Sequence, residues 1–343
     1  MKIKAAILNE PNVASKESYA LKLDEVENFP LEVGQVLVDI EASSICGRQL
    51  GEISGAKGFD HYIPHLLGHE GCGIVEDVGA GVTTVKEGDK VVLHWRKGAG
   101  IESSFPRYKW GTRMVGGGLV TTLSEKTVVS ENRLTKIDLE TCSNAGALLG
   151  CAATTGLGLI NNEAKLKIGE AVIVFGVGGV GLSVIQSAKL GGAYPIIAID
   201  INEAKLKKAK ELGATHCFMN APDPYSGERA DVIVETTGIP KVIEQAYTAA
   251  TTGGKIILVG QPPIQQSLTI NGFAHHYRGI TVKDSEGGLT DPTKDIPRYV
   301  NLYRKGILDL DSLITNHYNL SNIENAISDM KSGNVIGKCI ITM

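Results

Sequence analysis

The segment AVIVFGVGGVGLSVIQSAKLGGAYPIIAID, residues 171–200, restricts the fold of this chain more than any other. An uninterrupted apolar run leads into three glycines spaced Gly176-x-Gly178-x-x-Gly181, and residues with helical apolar spacing follow them. Such a run is typical of a strand buried on both faces of a parallel sheet. Glycines at this spacing between a strand and a helix bind the pyrophosphate of a dinucleotide. The segment therefore predicts a β–α–β unit with a dinucleotide site.

Asp200 ends the second strand of this unit and indicates which dinucleotide binds. Its carboxylate is expected to accept hydrogen bonds from the adenosine ribose and to repel a 2′-phosphate, and residues 201–203 supply no cation to offset that repulsion. The prediction is NAD rather than NADP. Lys205 is predicted either to reach the same ribose or to be solvated. The competing interpretation is that Asp200 only caps the helix that starts near Asn202.

The alternation of strands and helices continues to about residue 289 and predicts a doubly wound parallel sheet. A later turn, Val259-Gly260-Gln261, follows the apolar run KIIL, and ligands of such sheets bind at the carboxyl ends of the strands. We therefore predict cofactor contacts from this turn and from the glycine loop, whose residues are Gly176, Gly178, Gly179, Val180 and Gly181.

Before about residue 150 the apolar runs are short, rich in Val, Ile and Thr, and broken by Gly, Asp or Pro, which is typical of a β-rich domain. The tail returns to a mixed pattern and ends in the strand-like KCIITM. The predicted fold is therefore an α/β chain of two domains. Residues 1–152, completed by 290–343, form the β-rich domain, and residues 153–289 form the dinucleotide-binding domain.

Composition excludes several other classes of protein. A net charge of −4 gives no reason to expect a nucleic-acid or anionic-membrane partner. The start of the chain does not resemble a secretory signal, and no uninterrupted apolar run of about 18 residues predicts a membrane span. We therefore expect a cytoplasmic protein whose six cysteines are reduced thiols or metal ligands.

Three residues could together hold a catalytic metal. Such a zinc site takes three ligands from Cys, His and carboxylates and leaves one position open. Cys46, His69 and Cys151 fit this set, and Glu70 is predicted to lie behind them or to alternate as a ligand. Each residue alone is compatible with an ordinary buried side chain. Their joint occurrence beside a dinucleotide fold favours the metal site.

The run GHEGCGIVEDVGAGV, residues 68–82, resembles the zinc signature of the medium-chain dehydrogenase/reductase family, in its zinc-dependent alcohol dehydrogenase group. The runs KEGDKVV, GCAATTGLG, GVGGVG and MKSGNVIGKCIITM match that family in the same order. The resemblance implies a GroES-like catalytic domain, a Rossmann domain, and homodimers or homotetramers. It also implies that Cys46, His69 and Cys151, with Glu70 behind them, hold the catalytic zinc, and that Lys338 lies against the cofactor phosphates.

The activity that the resemblance implies is hydride transfer between NAD and a primary or secondary alcohol that is a polyol, a cyclitol or sugar-like. Zinc would polarise the alcohol oxygen, and the cofactor would carry the redox chemistry. A simple alcohol or aldehyde dehydrogenase and a catalytically altered NAD-binding protein of the same fold remain alternatives. A zinc-free reductase of the superfamily is disfavoured, because the full ligand set is present.

The chain departs from the family in the region where many members hold a structural zinc with four cysteines. Residues 93–118 contain no cysteine, so we predict one catalytic zinc per chain and no structural zinc. One interpretation of this region is a solvated loop whose Trp95 walls the substrate pocket. The other is a loop that reaches an anionic substrate through its basic residues Arg96, Lys97, Arg107, Lys109 and Arg113.

A second departure follows Cys46, where family members usually have Ser or Thr two positions later and then an acid. Here these positions are Arg48 and Gln49, and arginine cannot accept a proton. We predict that Arg48 contacts either the cofactor pyrophosphate or an anionic group of the substrate. The alcohol proton would then pass to water, to a nearby hydroxyl or to one of three histidines, namely His61, His65 or His94.

Overall fold

The computed structural model describes residues 1–9, 21–56, 60–220, 229–262, 266–270 and 277–343. These residues form two compact units. The first consists of Met1–Cys151 with Asp291–Met343, and the second is Ala152–Thr290. Within the described ranges, no helix is both long enough and apolar enough to span a membrane.

The strands are β1 (Lys2–Leu8), β2 (Leu21–Asn28), β3 (Gln35–Ser44), β4 (His65–Leu66), β5 (Glu70–Val78), β6 (Lys90–His94), β7 (Arg107–Trp110), β8 (Arg113–Gly116), β9 (Lys126–Ser130), β10 (Leu134–Ile137), β11 (Val172–Phe175), β12 (Ile196–Ile199), β13 (His216–Phe218), β14 (Ala230–Glu235), β15 (Ala250–Leu258), β16 (Thr281–Asp284), β17 (Ile314–Asn319) and β18 (Lys338–Thr342). The helices are α1 (Gly47–Ile53), α2 (Ser143–Leu148), α3 (Ala152–Gly158), α4 (Gly179–Leu190), α5 (Glu203–Leu212), α6 (Pro240–Ala249), α7 (Pro292–Arg304) and α8 (Ile323–Lys331).

The first unit is built from two β structures. Five strands close into a barrel in the order β1-β2-β7-β8-β4, and a sheet runs β10-β6-β5-β3-β18-β17 with β9 paired to β3. The Val- and Ile-rich runs of the sequence form its core, because alternate residues of the central strands point inward, as Val36, Val38 and Ile40 do on β3. The C-terminal strand β18 lies directly against β3, which leads to Cys46.

The second unit contains a six-stranded parallel sheet in the order β13-β12-β11-β14-β15-β16. Numbered from its first strand, this is the order 3-2-1-4-5-6 of the doubly wound Rossmann fold, which confirms the parallel sheet predicted from the sequence. The apolar runs are continuous because the strands are buried on both faces. All four residues of β11 are buried, for example.

The register of the parallel sheet determines which loops meet. Phe175, the last residue of β11, lies opposite Ile199 on β12 and Glu235 on β14. The glycine loop, Asp200 and the turn after Glu235 therefore follow three neighbouring strands at one edge of the sheet. This edge includes the point where the strand order reverses, which is where such folds bind nucleotides.

Candidate metal centre and dinucleotide site

Cys46, His69 and Cys151 lie together in the first unit, with their ligand atoms within 4.8 Å of one another. Cys46 follows β3 and precedes α1, His69 precedes β5, and Cys151 follows α2. In the part of the chain that the structure describes, no other group of three His, Cys, Asp or Glu residues is arranged to hold a metal ion. The three residues predicted from the sequence as metal ligands are therefore neighbours, although Cys46 and Cys151 are far apart in the chain.

Strand pairing and one glycine bring the three residues together. β3 pairs with β5 so that Ser43 lies opposite Gly71, which places the end of β3 beside the start of β5. The third residue approaches through Gly150, where an added Cβ would lie 2.4 Å from the Leu93 carbonyl oxygen and 2.7 Å from the Glu70 Cα. Only glycine at this position lets the chain just before Cys151 approach β5 and β6 this closely.

Hydrogen bonds within the group stabilise one of its two thiolates, that of Cys46. The pKa of Cys46 lies well below its usual range, because the Cys151 thiol donates a hydrogen bond to it and His69 adds a second. The same hydrogen bond, together with burial, raises the pKa of Cys151. Burial opposes the protonation of His69, but its hydrogen bond to Cys46 and the thiolate charge outweigh burial and raise its pKa. A thiolate is thus already stabilised here, and thiolate is the form that binds metal.

Glu70 lies behind this group rather than in it. Its side chain is fully buried, and its carboxylate Oε1 accepts a hydrogen bond from Lys338 Nζ. Its backbone carbonyl accepts hydrogen bonds from the hydroxyls of Ser43 at 3.1 Å and Thr122 at 3.2 Å. The expectation that Lys338 lies against cofactor phosphates is not met, because its amine is buried and bonded to Glu70.

Arg48 and Gln49 have different environments on α1. The Arg48 side chain is 48% exposed, and its Nε lies 3.9 Å from Glu52 Oε1, so it keeps donors for a ligand. Gln49 is buried, and its Oε1 accepts the backbone N–H of Cys46 at 3.0 Å. Gln49 therefore fixes the backbone of Cys46 without adding a charge, a role that sequence analysis missed.

His94 cannot carry the alcohol proton. It is buried, its Nδ1 lies 2.7 Å from the Arg96 carbonyl oxygen, and its Nε2 lies 2.9 Å from Thr135 Oγ1. Burial lowers the pKa of His94 to about 4, so the ring is neutral and both nitrogens are occupied. This histidine is a core residue, and its inclusion among the proton carriers was wrong.

Both ring nitrogens of His65 also lie within hydrogen-bond distance of other groups. Its Nδ1 lies 2.8 Å from the Leu66 carbonyl oxygen, and its Nε2 lies 2.9 Å from Asp60 Oδ2. Both nitrogens thus already have a partner within the first unit. Of the three histidines, only His61 is exposed.

The buried His94 predicts a pH dependence of stability. The pKa of His94 is about 4 in the folded chain, against about 6.5 for an ordinary histidine, so between these values the unfolded chain binds a proton that the folded chain does not. The free energy of unfolding should be unaffected by His94 above pH 6.5 and should decrease by about 3 kcal/mol as the pH falls to about 4. Chemical denaturation across this pH range should show that the free energy of unfolding of His94→Gln decreases less steeply with falling pH than that of the wild type. The exposed His317→Gln should behave like the wild type, and equal slopes for all three proteins would contradict the assignment.

Most of the basic side chains between residues 96 and 113 have partners inside the first unit. Arg96 and Arg113 stack on tryptophan rings, 5.4 Å and 5.6 Å from the ring centroids. Lys97 and Lys109 pair with Glu102 and Glu27, the latter at 4.0 Å. These contacts favour internal pairing over contact with an anionic substrate. The region is not a loop throughout, because Arg107 and Lys109 lie on β7 and Arg113 lies on β8.

In the second unit, each of the three glycines of the loop after β11 is required for a different physical reason. Gly176 has a φ of +82°, which side chains rarely adopt. An added Cβ on Gly178 would meet nothing within 4 Å, which leaves this side of the loop open for a ligand to approach the backbone. On Gly181 it would lie 2.1 Å from the Gly176 carbonyl oxygen, because α4 packs closely on the loop. These are the three functions that a pyrophosphate-binding loop requires.

Asp200 connects this loop to the next strand. Its Oδ2 accepts the N–H of Val177 at 2.9 Å, and its Oδ1 accepts the N–H of Asn202 at 3.0 Å. The cap of α5 is Asn202, whose side chain accepts from the N–H groups of Ala204 and Lys205. The interpretation of Asp200 as a mere helix cap is therefore wrong, and its carboxylate lies beside the glycine loop.

Glu235, which the sequence analysis missed, organises the neighbouring turn. It is fully buried at the end of β14, and its carboxylate accepts the N–H groups of Thr237 at 2.6 Å and Gly238 at 3.2 Å. Its carbonyl oxygen accepts the N–H of Val259 at 2.8 Å and that of Gly260 at 3.1 Å, so the predicted cofactor turn lies at the same sheet edge. Burial raises the pKa of Glu235. The acid in VIVETTG, at a strand end, was the available signal.

Comparison with known proteins gives two family models and full-length relatives. A model described as alcohol dehydrogenase GroES-like domain matches residues 32–139, and one described as zinc-binding dehydrogenase matches residues 179–305. The chain is 32% identical to alcohol dehydrogenase 6 of Peromyscus maniculatus, covering 99% of this chain and 98% of that protein. It is 31% identical to alcohol dehydrogenase class-3 of Cereibacter sphaeroides, covering 96% and 98%.

Solved structures agree with these relatives. Benzyl alcohol dehydrogenase of Acinetobacter calcoaceticus is similar with a TM-score of 0.86 at 26% identity, covering 100% of this chain and 99% of that one. The 2R,3R-butanediol dehydrogenase of Bacillus subtilis has a TM-score of 0.79 at 26% identity, with 99% of each chain covered. The predicted combination of a GroES-like domain with a Rossmann domain is thereby confirmed.

Proposed function

This chain belongs to the zinc-binding alcohol dehydrogenase family and is an alcohol dehydrogenase, and we propose that it oxidises a polyol, cyclitol or sugar-like alcohol with one zinc ion and NAD. The observation that carries the proposal is the group formed by Cys46, His69 and Cys151. Two thiols and one imidazole are a catalytic zinc donor set, and such sites leave a fourth position for the substrate.

The arrangement of the donors fits zinc. Tetrahedral bonds of about 2.0–2.3 Å separate ligand atoms by roughly 3.3–3.8 Å, so donor atoms within 4.8 Å need only small side-chain movements. A zinc ion held there would polarise the alcohol oxygen and so favour loss of its proton. The chain contributes the ligands themselves, the backbone anchor of Cys46 through Gln49, and the buried carboxylate of Glu70 bonded to Lys338.

We propose NAD as the hydride acceptor because of the groups that lie at the carboxyl ends of the parallel strands. The open face at Gly178 and the N-terminus of α4 suit a pyrophosphate. Asp200 keeps lone pairs for ribose hydroxyls while it holds the loop, and its charge disfavours a 2′-phosphate. Lys338 is bonded to Glu70, so we propose that Arg48 is the cation of the first unit that contacts the pyrophosphate or an anionic group of the substrate.

The direct test combines metal analysis with an alcohol panel. We expect close to one zinc per chain and NAD reduction with at least one alcohol of the panel. The panel holds polyols, cyclitols and sugar alcohols, together with benzyl alcohol and 2,3-butanediol, which the names of similar structures suggest. Bound zinc without turnover would favour the catalytically altered NAD-binding protein, and turnover without zinc would favour the zinc-free reductase.

Replacing Arg48 tests the role of the exposed cation. We expect Arg48→Ala to raise the KM for NAD or for the alcohol by roughly 10-fold or more, because a charge-assisted hydrogen bond contributes about 1.5–3 kcal/mol. The zinc content should not change, since Arg48 is not in the metal-ligating group. Glu52→Gln, which removes only the neighbouring acid, is the matched control.

Unchanged Michaelis constants for both ligands would refute this role of Arg48. Comparing neutral polyols with their phosphorylated counterparts in the two proteins then separates the two possible ligands. A preference for the phosphorylated alcohol that disappears in Arg48→Ala would assign the guanidinium to the substrate. A changed KM for NAD alone would assign it to the cofactor.

A further inference from the structure

Lys338 is a buried cation whose amine links the two chain segments that carry Cys46 and His69. Its side chain is 6% exposed and lies at the start of β18. Its Nζ donates a hydrogen bond to the carbonyl oxygen of Ile45 at 2.9 Å and another to Glu70 Oε1. Ile45 immediately precedes Cys46, and Glu70 immediately follows His69. One amine therefore contacts the backbone before the first ligand and the side chain after the second.

The charges of this region balance when Lys338 is protonated. A divalent metal with the thiolates of Cys46 and Cys151 and a neutral His69 has no net charge, and the pair of Glu70 and Lys338 has none either. Burying an unbalanced charge is costly, whereas a buried pair with additional hydrogen bonds is tolerated. Removing the amine would leave a fully buried carboxylate with one cation less, next to a metal ion that binds carboxylates.

We propose that Lys338 is a positioning residue of the metal centre, which holds the Glu70 carboxylate away from the metal and so keeps the fourth coordination position open for the substrate. The proposal rests on the proposed function, because it requires a metal at Cys46, His69 and Cys151. Beyond the proposed function, it assigns to β18 control over the number of protein ligands on the metal. A catalytic zinc site needs this open position, and a fourth protein ligand is the arrangement of a structural site.

Cobalt substitution tests the proposal independently of activity, because the visible absorption of Co²⁺ reports its coordination. The proteins compared are the wild type, Lys338→Met, Glu70→Gln and the double variant. We expect the visible bands of Lys338→Met to shift in wavelength as the Glu70 carboxylate takes the fourth position in place of solvent. The kcat should fall roughly 10–100-fold, the usual effect of disturbing outer-shell partners. Glu70→Gln and the double variant should both retain the wild-type spectrum, because a neutral amide does not replace the carboxylate as a ligand.

The outcomes separate the two proposals. A wild-type protein that binds neither Zn²⁺ nor Co²⁺ contradicts the proposed function, whereas a wild-type spectrum in Lys338→Met overturns only the role of Lys338. Identical spectral changes in Lys338→Met and the double variant would also overturn it, because the effect would then not pass through Glu70. If Lys338→Met does not fold, a folded double variant supports the charge balance between the two residues, and an unfolded one overturns the proposal.

Discussion

Replacing Cys46 with alanine is expected to remove the metal and almost all alcohol oxidation. Cys46 supplies one of the three donors that lie within 4.8 Å of one another, and its thiolate is the most stabilised group of the set. Disturbing outer-shell partners of a metal typically costs 10–100-fold in affinity or activity, so loss of a ligand should cost more than about 100-fold in kcat/KM. Zinc content by mass spectrometry and the initial rate of NAD reduction measure both effects.

Cys142→Ala is the matched control for this experiment. Cys142 is exposed at the start of α2 and lies outside the metal-ligating group, so its replacement should leave zinc content and rate unchanged. A Cys46→Ala protein that keeps one zinc per chain and wild-type turnover would contradict the assignment of the site. The thermal midpoint of both variants should be recorded, so that unfolding is distinguished from metal loss.

Replacing Asp200 with asparagine is expected to weaken the preference for NAD over NADP by roughly 10–100-fold in kcat/KM. A hydrogen bond to a charged group contributes about 1.5–3 kcal/mol, and this contribution to NAD binding is reduced while the repulsion of a 2′-phosphate disappears. Asparagine has one acceptor oxygen where the carboxylate uses two, so it can keep the N–H of Val177 or that of Asn202 but not both. The thermal midpoint of the variant should therefore be recorded beside the kinetics, to show that the glycine loop remains folded. Steady-state kinetics with both cofactors at a fixed alcohol concentration give the ratio.

Asp231→Asn provides the comparison for Asp200. Asp231 lies at the opposite end of the same sheet, where its carboxylate accepts the N–H of Ala171 at 2.9 Å. Its replacement should alter stability and leave the cofactor ratio unchanged. An unaltered ratio in Asp200→Asn would show that its carboxylate serves only the loop, and the choice of NAD would need another cause.

The sequence was sufficient for the features that depend on local patterns. Continuous apolar runs predicted the buried strands of the parallel sheet. The spacing of Gly176, Gly178 and Gly181 predicted the turn, because backbone conformation and close packing within this short loop require glycine. The metal-ligating group was predicted from residue types and from the family resemblance. Its closeness in space depends on the pairing of β3 with β5 and on Gly150, which no local pattern specifies.

Several residues were misjudged because their environment is created by distant parts of the chain. The sequence predicts His94 as one of three candidate proton carriers, but Thr135 on another strand lies within hydrogen-bond distance of one of its nitrogens. The sequence shows Gln49 only as a replacement for the family's acid, whereas in the structure its side-chain oxygen accepts the backbone N–H of Cys46. The position of Glu235 at a strand end was the only signal in the sequence, and its burial follows from the turn formed by Thr237 and Gly238.

The sequence by itself determined the class of fold, the family and the residue types available to hold a metal and a dinucleotide, because these are encoded in short-range spacing. The tertiary structure alone decided which charged groups are paired and which are free. Lys338 and Glu70 are 268 positions apart, yet their contact removes the lysine from cofactor binding and directs its charge to the metal centre. Burial makes such a pairing obligatory, since an isolated buried charge is far more costly than an exposed one.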